Sequence, residues 1–237
     1  MRLERLGGVA AIVLLATMGS ASAVPCGGTC VVTATVFTGT APPAGILDLG
    51  QGTANSRQNI ASGLTIGSTT MTWAGGTPLS GVFSGNQTNI FASPFNTGVL
   101  GAGSATQNYL AAQSGGGTVT VTEAEGQGNT LTLVWGSVDG EAGKNVLTQN
   151  GFMITGAEVQ AALVASGITP VNGVTNALVT ISGLGNWTSF TASDTTASAF
   201  EFDPQTEVVT TPEPASLALI GSALVGFGLI RRPRKSV

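Results

Sequence analysis

The sequence predicts an all-β body, an antiparallel β-sandwich of jelly-roll-like type with one short helix, and three observations support this fold class. Several short runs alternate apolar and polar residues, most strictly Thr118-Val-Thr-Val-Thr122, and a period of two is the pattern of a half-buried strand. Segments rich in glycine and asparagine separate these runs, as turns separate the strands of a sandwich. Only 8% of the residues are charged, so the chain lacks the high-charge composition of a disordered one.

The first part of the body predicts a series of strands. The run 31–38 is rich in β-branched residues, and 64–73 alternates with a bulge or a shift of face at Gly67-Ser68. Two further runs, 118–122 and 131–135, predict a hairpin with a turn between them. The residues of this hairpin that face the core are Val119, Val121, Leu131 and Leu133.

The second part of the body contains the one predicted helix. Strands at 146–148 and 152–154 flank Asn150-Gly151, a dipeptide that favours a tight hairpin turn. Thr155 and Glu158 have the spacing of a capping box, and the residues that follow favour a helix over 156–165. Strands resume at 177–182, 187–191 and 199–203.

The first 23 residues have the pattern of a secretory signal peptide. Arg2 and Arg5 supply the charged start, 6–18 is apolar, and Ala21 and Ala23 form an A-x-A cleavage site. We therefore expect the mature protein to begin at Val24 and the β domain to occupy 24–210.

Two cysteines, Cys26 and Cys30, are separated by three residues in a chain predicted to be exported. Exported compartments are oxidising, so the pair predicts a local disulfide. A metal site made by this pair alone is disfavoured, because the chain has no histidine and no further cysteine to complete it.

The last 27 residues, 211–237, have three parts in a fixed order. The triplet Pro212-Glu213-Pro214 comes first, then a 14-residue apolar run at 217–230, then a basic end formed by Arg231, Arg232, Arg234 and Lys235. As a helix the apolar run is roughly 21 Å long, against about 30 Å for the hydrocarbon core of a bilayer. The order predicts a single, short transmembrane helix whose cationic end stays on the cytoplasmic side.

This tail resembles the PEP-CTERM sorting signal of exopolysaccharide-producing Gram-negative bacteria. The resemblance implies that an exosortase in the inner membrane recognises Pro212, Glu213 and Pro214 and removes the tail after transient anchoring. The exported protein would then reach the cell surface or the extracellular matrix. An ordinary single-span anchor with a proline-rich stem is the alternative.

Parts of the body also resemble a recurring family of exosortase-dependent surface proteins. The matching pieces are Leu133-Val-Trp-Gly-Ser-Val-Asp139 and Ala199-Phe-Glu-Phe-Asp203, together with 108–110 and 117–121. The chain departs from that pattern after Asp203, where Pro204-Gln205 follows. The resemblance implies no catalytic activity.

The charge of the body argues against a nucleic-acid partner. Between the two targeting ends the chain has two basic residues, Arg57 and Lys144, and ten acidic ones, so its net charge is about −8. Such a surface repels the phosphates of nucleic acids and anionic lipids.

Little catalytic chemistry is available, and we expect no enzyme. The chain has no histidine and one tyrosine, which leaves carboxylates as the candidate acids and bases. Asp139 with Glu141, and Glu201 with Asp203, are i, i+2 pairs that project from one side of a strand. If Phe200 and Phe202 face the core, Glu201 and Asp203 point outward together, as a solvated strand face, a weak Ca²⁺ site or an acid pair of glycosidase type.

Three tryptophans could stack on sugars, namely Trp73, Trp135 and Trp187, although Trp135 lies in an apolar run that predicts a core position. The leading hypothesis is an exported surface or matrix protein without a cofactor, associated with exopolysaccharide or biofilm. The alternative is a lectin-like carbohydrate-binding module, with Ca²⁺ assisting.

Overall fold

The computed structural model describes residues 23–205 except 61, 88–89, 96–103, 125–126 and 197. The predicted signal segment up to residue 22, with Ala21, lies outside the described residues, and so does the whole tail. The motif Pro212-Glu213-Pro214, the apolar run 217–230 and the basic end Arg231, Arg232, Arg234 and Lys235 therefore remain sequence predictions. Within the described part, no helix has the length and apolar character needed to span a membrane.

Fourteen strands and one helix make up the described body. In chain order they are β1 (Val24–Pro25), β2 (Val31–Val36), β3 (Ser56–Arg57), β4 (Gly63–Ile66), β5 (Thr69–Ala74), β6 (Gly81–Ser84), β7 (Asn108–Ala112), β8 (Gly117–Glu123), β9 (Thr130–Trp135), β10 (Val146–Gln149), β11 (Phe152–Thr155), α1 (Gly156–Ala165), β12 (Ala177–Ser182), β13 (Ser189–Asp194) and β14 (Phe200–Pro204).

The strands form two antiparallel sheets, which confirms the predicted all-β class. The eight-stranded sheet has the order β1-β2-β12-β9-β14-β7-β6-β3, and the six-stranded sheet has the order β11-β10-β13-β8-β5-β4. The chain changes sheet repeatedly, for example from β8 to β9 to β10 and from β12 to β13 to β14. Each such connection places consecutive strands in different layers, where they share a core but no backbone hydrogen bonds.

One apolar core lies between the sheets. Met71, Val121 and Phe190 are inward residues of β5, β8 and β13 in the six-stranded sheet. They belong to the same buried cluster as Trp135 and Phe202, which are inward residues of β9 and β14 in the eight-stranded sheet. The rings of Phe190 and Phe202 lie 5.9 Å apart and those of Trp135 and Phe200 lie 4.4 Å apart. Aromatic pairs at these distances stabilise a core beyond the burial of their area.

The predicted hairpin between 118–122 and 131–135 is wrong. Strand β8 pairs with β5 and β13, whereas β9 pairs with β12 and β14 in the other sheet. The four residues predicted to face the core are nevertheless fully buried. Alternation places a side chain on the inner face of some sheet, but it does not say which strand lies alongside.

The segment 64–73 is a hairpin rather than one bulged strand. Ile66 pairs with Thr69, so Gly67-Ser68 is the two-residue turn between β4 and β5. Gly67 has a φ of 60°, a left-handed conformation that glycine adopts without steric cost. A reversal of the chain therefore occurs where a shift of face was predicted.

The structure confirms the predicted turn at Asn150-Gly151 and the predicted helix that follows it. Asn150 and Gly151 have φ angles of 45° and 82°, as a tight hairpin turn between β10 and β11 requires. Helix α1 then begins with Thr155 as its N-cap, and the backbone N–H of Thr155 donates to the Glu158 carboxylate at 2.9 Å. This reciprocal arrangement satisfies donors that the first helical turn leaves unpaired.

The predicted disulfide joins Cys26 to Cys30 next to the edge of the eight-stranded sheet. Cys30 is 1% exposed and packs in the main core, and Val24 and Pro25 pair with β2 just before the bridge. The hydroxyl of Thr29, inside the small loop, donates to the Gly183 carbonyl at 2.9 Å. The bridge thus holds the start of the described chain against the sheet.

Candidate functional site

The first candidate pair, Asp139 and Glu141, forms a local ion-pair cluster after β9. The Lys144 ammonium lies 2.9 Å from Asp139 Oδ2 and 3.1 Å from Glu141 Oε2. Burial by itself would raise the pKa of Asp139, but hydrogen bonds from Lys144, the Glu141 amide and Asn172 outweigh it and lower that pKa. Asp139 is therefore an ionised carboxylate already neutralised by a lysine, which suits a structural role.

The structure corrects the prediction made for the second pair, Glu201 and Asp203. Both residues do lie on the side of β14 opposite the core residues Phe200 and Phe202, as predicted. That side is not solvated, because Glu201 is 2% exposed and Asp203 is fully buried. The prediction of a solvated strand face is wrong.

An outer apolar layer covers these carboxyl groups. It consists of buried side chains on the outer face of the eight-stranded sheet and in the segments that fold over it: Phe37, Ile46, Phe83, Phe91, Phe95, Tyr109, Ala111, Val134 and Ala199. Along the sheet, Glu201 is paired with Ala111 on one neighbouring strand and Asp203 with Val134 on the other. The two acids are therefore embedded in a second, smaller core.

Glu201 has one strong backbone partner in this layer. Its Oε1 accepts the Ala92 backbone N–H at 2.8 Å, while its Oε2 is without a hydrogen-bond partner among the described residues. Burial raises the pKa of Glu201 to about 8, with hydrogen bonds from Ala92 and Ser137 opposing the shift. At neutral pH the group is mostly the protonated acid, because burial penalises the charged form.

Asp203 is more isolated. Neither of its carboxyl oxygens has a hydrogen-bond partner in the described part of the chain. Burial, and to a smaller degree the charge of Asp48, raise its pKa well above the ordinary value. Burial, and to a smaller degree the charge of Glu201, raise the pKa of Tyr109 well above its ordinary value. The Tyr109 hydroxyl donates to the Gly85 carbonyl at 2.6 Å.

This arrangement offers little to a substrate. A glycosidase acid pair has to flank a bond of the sugar, whereas Glu201 and Asp203 are both enclosed. Across the described residues, no group of three or more cysteine or carboxylate side chains lies together as a metal site would require. The geometry supports two protonated acids inside an apolar layer.

The tryptophans are core residues. Trp135 and Trp187 are at most 1% exposed and Trp73 is 8% exposed. The large apolar side chains that the structure exposes are aliphatic: Val36, Leu79, Met153, Val164 and Val171. In the described part of the chain, therefore, no tryptophan offers the flat platform on which a sugar ring would stack.

Two further buried acids were not singled out from the sequence. Glu123 continues the inward positions of Val119 and Val121 on β8, and the Thr69 hydroxyl donates to its carboxylate at 2.8 Å. Asp194 ends β13 on the inner side, where burial raises its pKa against hydrogen bonds from Thr196. The alternation of each strand was the signal, since both residues fall on the inward period.

The functional signal of this chain lies beyond the body. The described fold ends where Gln205 bridges to Ile46, and the triplet, apolar run and basic end follow it in the sequence. That order defines an export and sorting tail.

Residues 210–235 match the family model of the PEP-CTERM protein-sorting motif. The motif implies export, processing by an exosortase and sorting to the cell surface. No curated protein and no solved structure matches the chain.

Proposed function

We propose that the protein is a non-enzymatic surface or extracellular-matrix protein that an exosortase sorts through its C-terminal tail. The observation that carries the proposal is the match of 210–235 to the sorting motif. The segment 1–23 directs translocation and is cleaved after Ala23. The run 217–230 then halts in the inner membrane, with Arg231, Arg232, Arg234 and Lys235 on the cytoplasmic side.

Two features of the β-sheet body are typical of an extracellular protein. Its disulfide forms in an oxidising compartment. Its two antiparallel sheets, with a chain that alternates between them, are consistent with a jelly-roll-like sandwich. Such a body acts as the cargo that the tail delivers, and we propose that it becomes part of the exopolysaccharide or biofilm around the cell.

The alternative is a lectin-like module that recognises that polysaccharide, with Ca²⁺ assisting. The buried tryptophans weaken the version of this idea that depends on aromatic stacking. Ca²⁺ would need six to eight oxygen ligands, and the neighbours of Glu201 and Asp203 in the sheet are Ala111 and Val134. Loss of glycan binding on addition of a chelator would support the alternative.

Substitution of the motif tests the sorting proposal. Replacing Pro212, Glu213 and Pro214 by alanine should leave the protein in the inner-membrane fraction with its tail intact. The matched control is Glu207→Ala, which removes an acid six residues upstream and should be sorted like the wild type. Cell fractionation and immunoblotting measure both, and normal surface delivery of the triple variant would contradict the proposal.

A further inference from the structure

The outward side of the six-stranded sheet is a regular array of hydroxyl groups. The inward positions of β5, β8 and β13 are buried, so their alternate residues face outward. In the middle of the sheet Thr72 pairs with Thr120, Thr120 with Thr191, and Thr191 with Thr148. Four adjacent strands therefore carry a threonine at the same level.

A second row runs parallel to the first, two residues along each strand. Thr65 pairs with Thr70, Thr70 with Thr122, and Thr122 with Ser189. A partial third row contains Thr118 and Ser193. Because strands lie about 4.8 Å apart and two residues span about 6.8 Å, the backbone positions that carry these hydroxyl groups repeat in two directions at about those spacings. We call this array the hydroxyl face.

The hydroxyl face is uncharged. The outward positions of β4, β5, β8, β10, β11 and β13, all within the described residues, are Thr, Ser, Gly, Ala, Val or Met. The net charge of the body, about −8, therefore comes from residues placed elsewhere. An acidic polymer would meet no cation on this face, and a basic one would meet no anion.

Each threonine can both donate and accept a hydrogen bond, and its methyl group can contact a C–H surface. Some hydroxyls already bond to each other, as Thr120 does to Thr191 at 3.0 Å and Thr65 to Thr70 at 3.2 Å. These bonds hold the side chains in fixed orientations across the strands. A partner with its own regular row of hydroxyl groups could replace the water bound there with little ordering of the protein.

From the absence of charge and the regular repeat, we infer that the hydroxyl face binds an uncharged, repeating polysaccharide chain lying across the strands. This inference rests on the proposed function, since it names the face and the class of polymer by which the exported protein would associate with its matrix. An open array of hydroxyl groups on a sheet face suits an extended chain, whereas a terminal sugar would need a pocket. The inference requires no aromatic platform and no Ca²⁺.

The test uses purified full-length protein and sedimentation with microcrystalline cellulose, insoluble β-1,3-glucan and, as the acidic polymer, calcium-free alginate beads. We expect binding to at least one neutral polymer and none to alginate. The triple variant Thr72→Val, Thr120→Val, Thr191→Val removes three hydroxyls but keeps the shape and β-propensity of each residue. It should weaken binding at least about tenfold, since each hydrogen bond to a hydroxyl contributes modestly.

The other sheet supplies the matched control. Thr132 pairs with Thr180 on the eight-stranded sheet, their hydroxyls 3.2 Å apart, and the variant Thr132→Val, Thr180→Val should bind like the wild type. A second probe, Thr120→Glu, places one charge at the centre of the hydroxyl face and should also weaken binding. Thermal unfolding of each variant checks that it is folded.

Three binding results would overturn the inference: no binding of the wild type to any neutral polymer, equal binding by the triple variant, or binding to alginate. A dimer in sedimentation equilibrium that the triple variant abolishes would also overturn it, because the face would then pair with a second copy. None of these outcomes affects sorting. Surface delivery measured on the same variants separates a failure of this inference from a failure of the proposed function.

Discussion

The outer faces of the two sheets differ, because one is open to solvent and the other is partly covered by apolar side chains. On the six-stranded sheet the outward residues are uncharged and mostly hydroxyl-bearing, and some of them, such as Thr72 and Thr122, are exposed to solvent. On the eight-stranded sheet the equivalent side is partly covered by the outer apolar layer, which encloses Glu201 and Asp203. The same alternation therefore leads to a surface in one sheet and to a second core in the other. The difference comes from the segments that fold over the sheet, chiefly those containing Phe37, Ile46, Phe91 and Phe95.

The largest effect should come from truncating the outer apolar layer. Phe83 is fully buried there, with its ring 4.7 Å from that of Phe91. Phe83→Ala should lower the free energy of unfolding by about 3–5 kcal/mol, because it removes buried area and leaves a cavity. Chemical denaturation measures the change, and a loss below about 1 kcal/mol would mean that the layer is not a packed core.

The buried acids should make the covered face sensitive to pH. The pKa of Glu201 is raised to about 8 in the folded protein, so between pH 4.5 and 8 the folded state holds a proton that the unfolded state has lost. The free energy of unfolding should therefore fall by a few kcal/mol as the pH rises through this window. Asp203 adds to the fall, because its pKa is raised as well.

Glu201→Gln isolates the contribution of Glu201. The free energy of unfolding of this variant should depend less on pH than that of the wild type. Above pH 8 the variant should also be more stable, because the wild type then buries a charged carboxylate. The control is Glu141→Gln at an exposed carboxylate, which should keep the fall between pH 4.5 and 8. If the free energy of unfolding of Glu201→Gln fell with pH as steeply as that of the wild type, Glu201 would not be buried as described.

Removing the disulfide should have a smaller effect. Cys26→Ala with Cys30→Ala should cost about 2 kcal/mol, because the bridge closes a very short loop and so restricts the unfolded chain little. The loss should be confined to the edge of the eight-stranded sheet, where β1 pairs with β2. Hydrogen exchange tests this: faster exchange in β2 with unchanged protection in β8 is expected, and the reverse pattern would contradict it.

The smallest effect belongs to the hydroxyl face. Thr148 is exposed at one end of the first row of threonines, and Thr148→Val should change the free energy of unfolding by less than about 0.5 kcal/mol. Denaturation curves for Thr148→Val and Phe83→Ala, measured together, compare the two faces directly. A cost at Thr148 similar to that at Phe83 would remove the distinction between a solvated and a covered face.

Local patterns predicted some parts of this fold well. The inward residues of β8 and β9, the helix from Gly156 to Ala165 and the turn at Asn150-Gly151 each depend on neighbours within a few residues, so the sequence carries their signal. The sorting tail was predicted from the order of its three parts, and the match at 210–235 agrees with it.

Other parts depended on distant contacts that no local pattern encodes. The pairing of β8 with β5 and β13 brings together residues far apart in the sequence. Strand β7 was missed because Asn108–Ala112 is buried throughout and ends in two alanines, so it shows no alternation. The burial of Glu201 was missed for a similar reason, since the Ala92 amide that bonds to it is 109 residues away.

Mass spectrometry of the mature C-terminus tests the central claim most directly. We expect protein from the surface or medium of exosortase-containing cells to end near Pro212–Pro214, without the run 217–230. Cells that lack the enzyme should retain a form that includes Arg231 to Val237. Surface protein that still carries those basic residues in the presence of the enzyme would contradict sorting by removal of the tail.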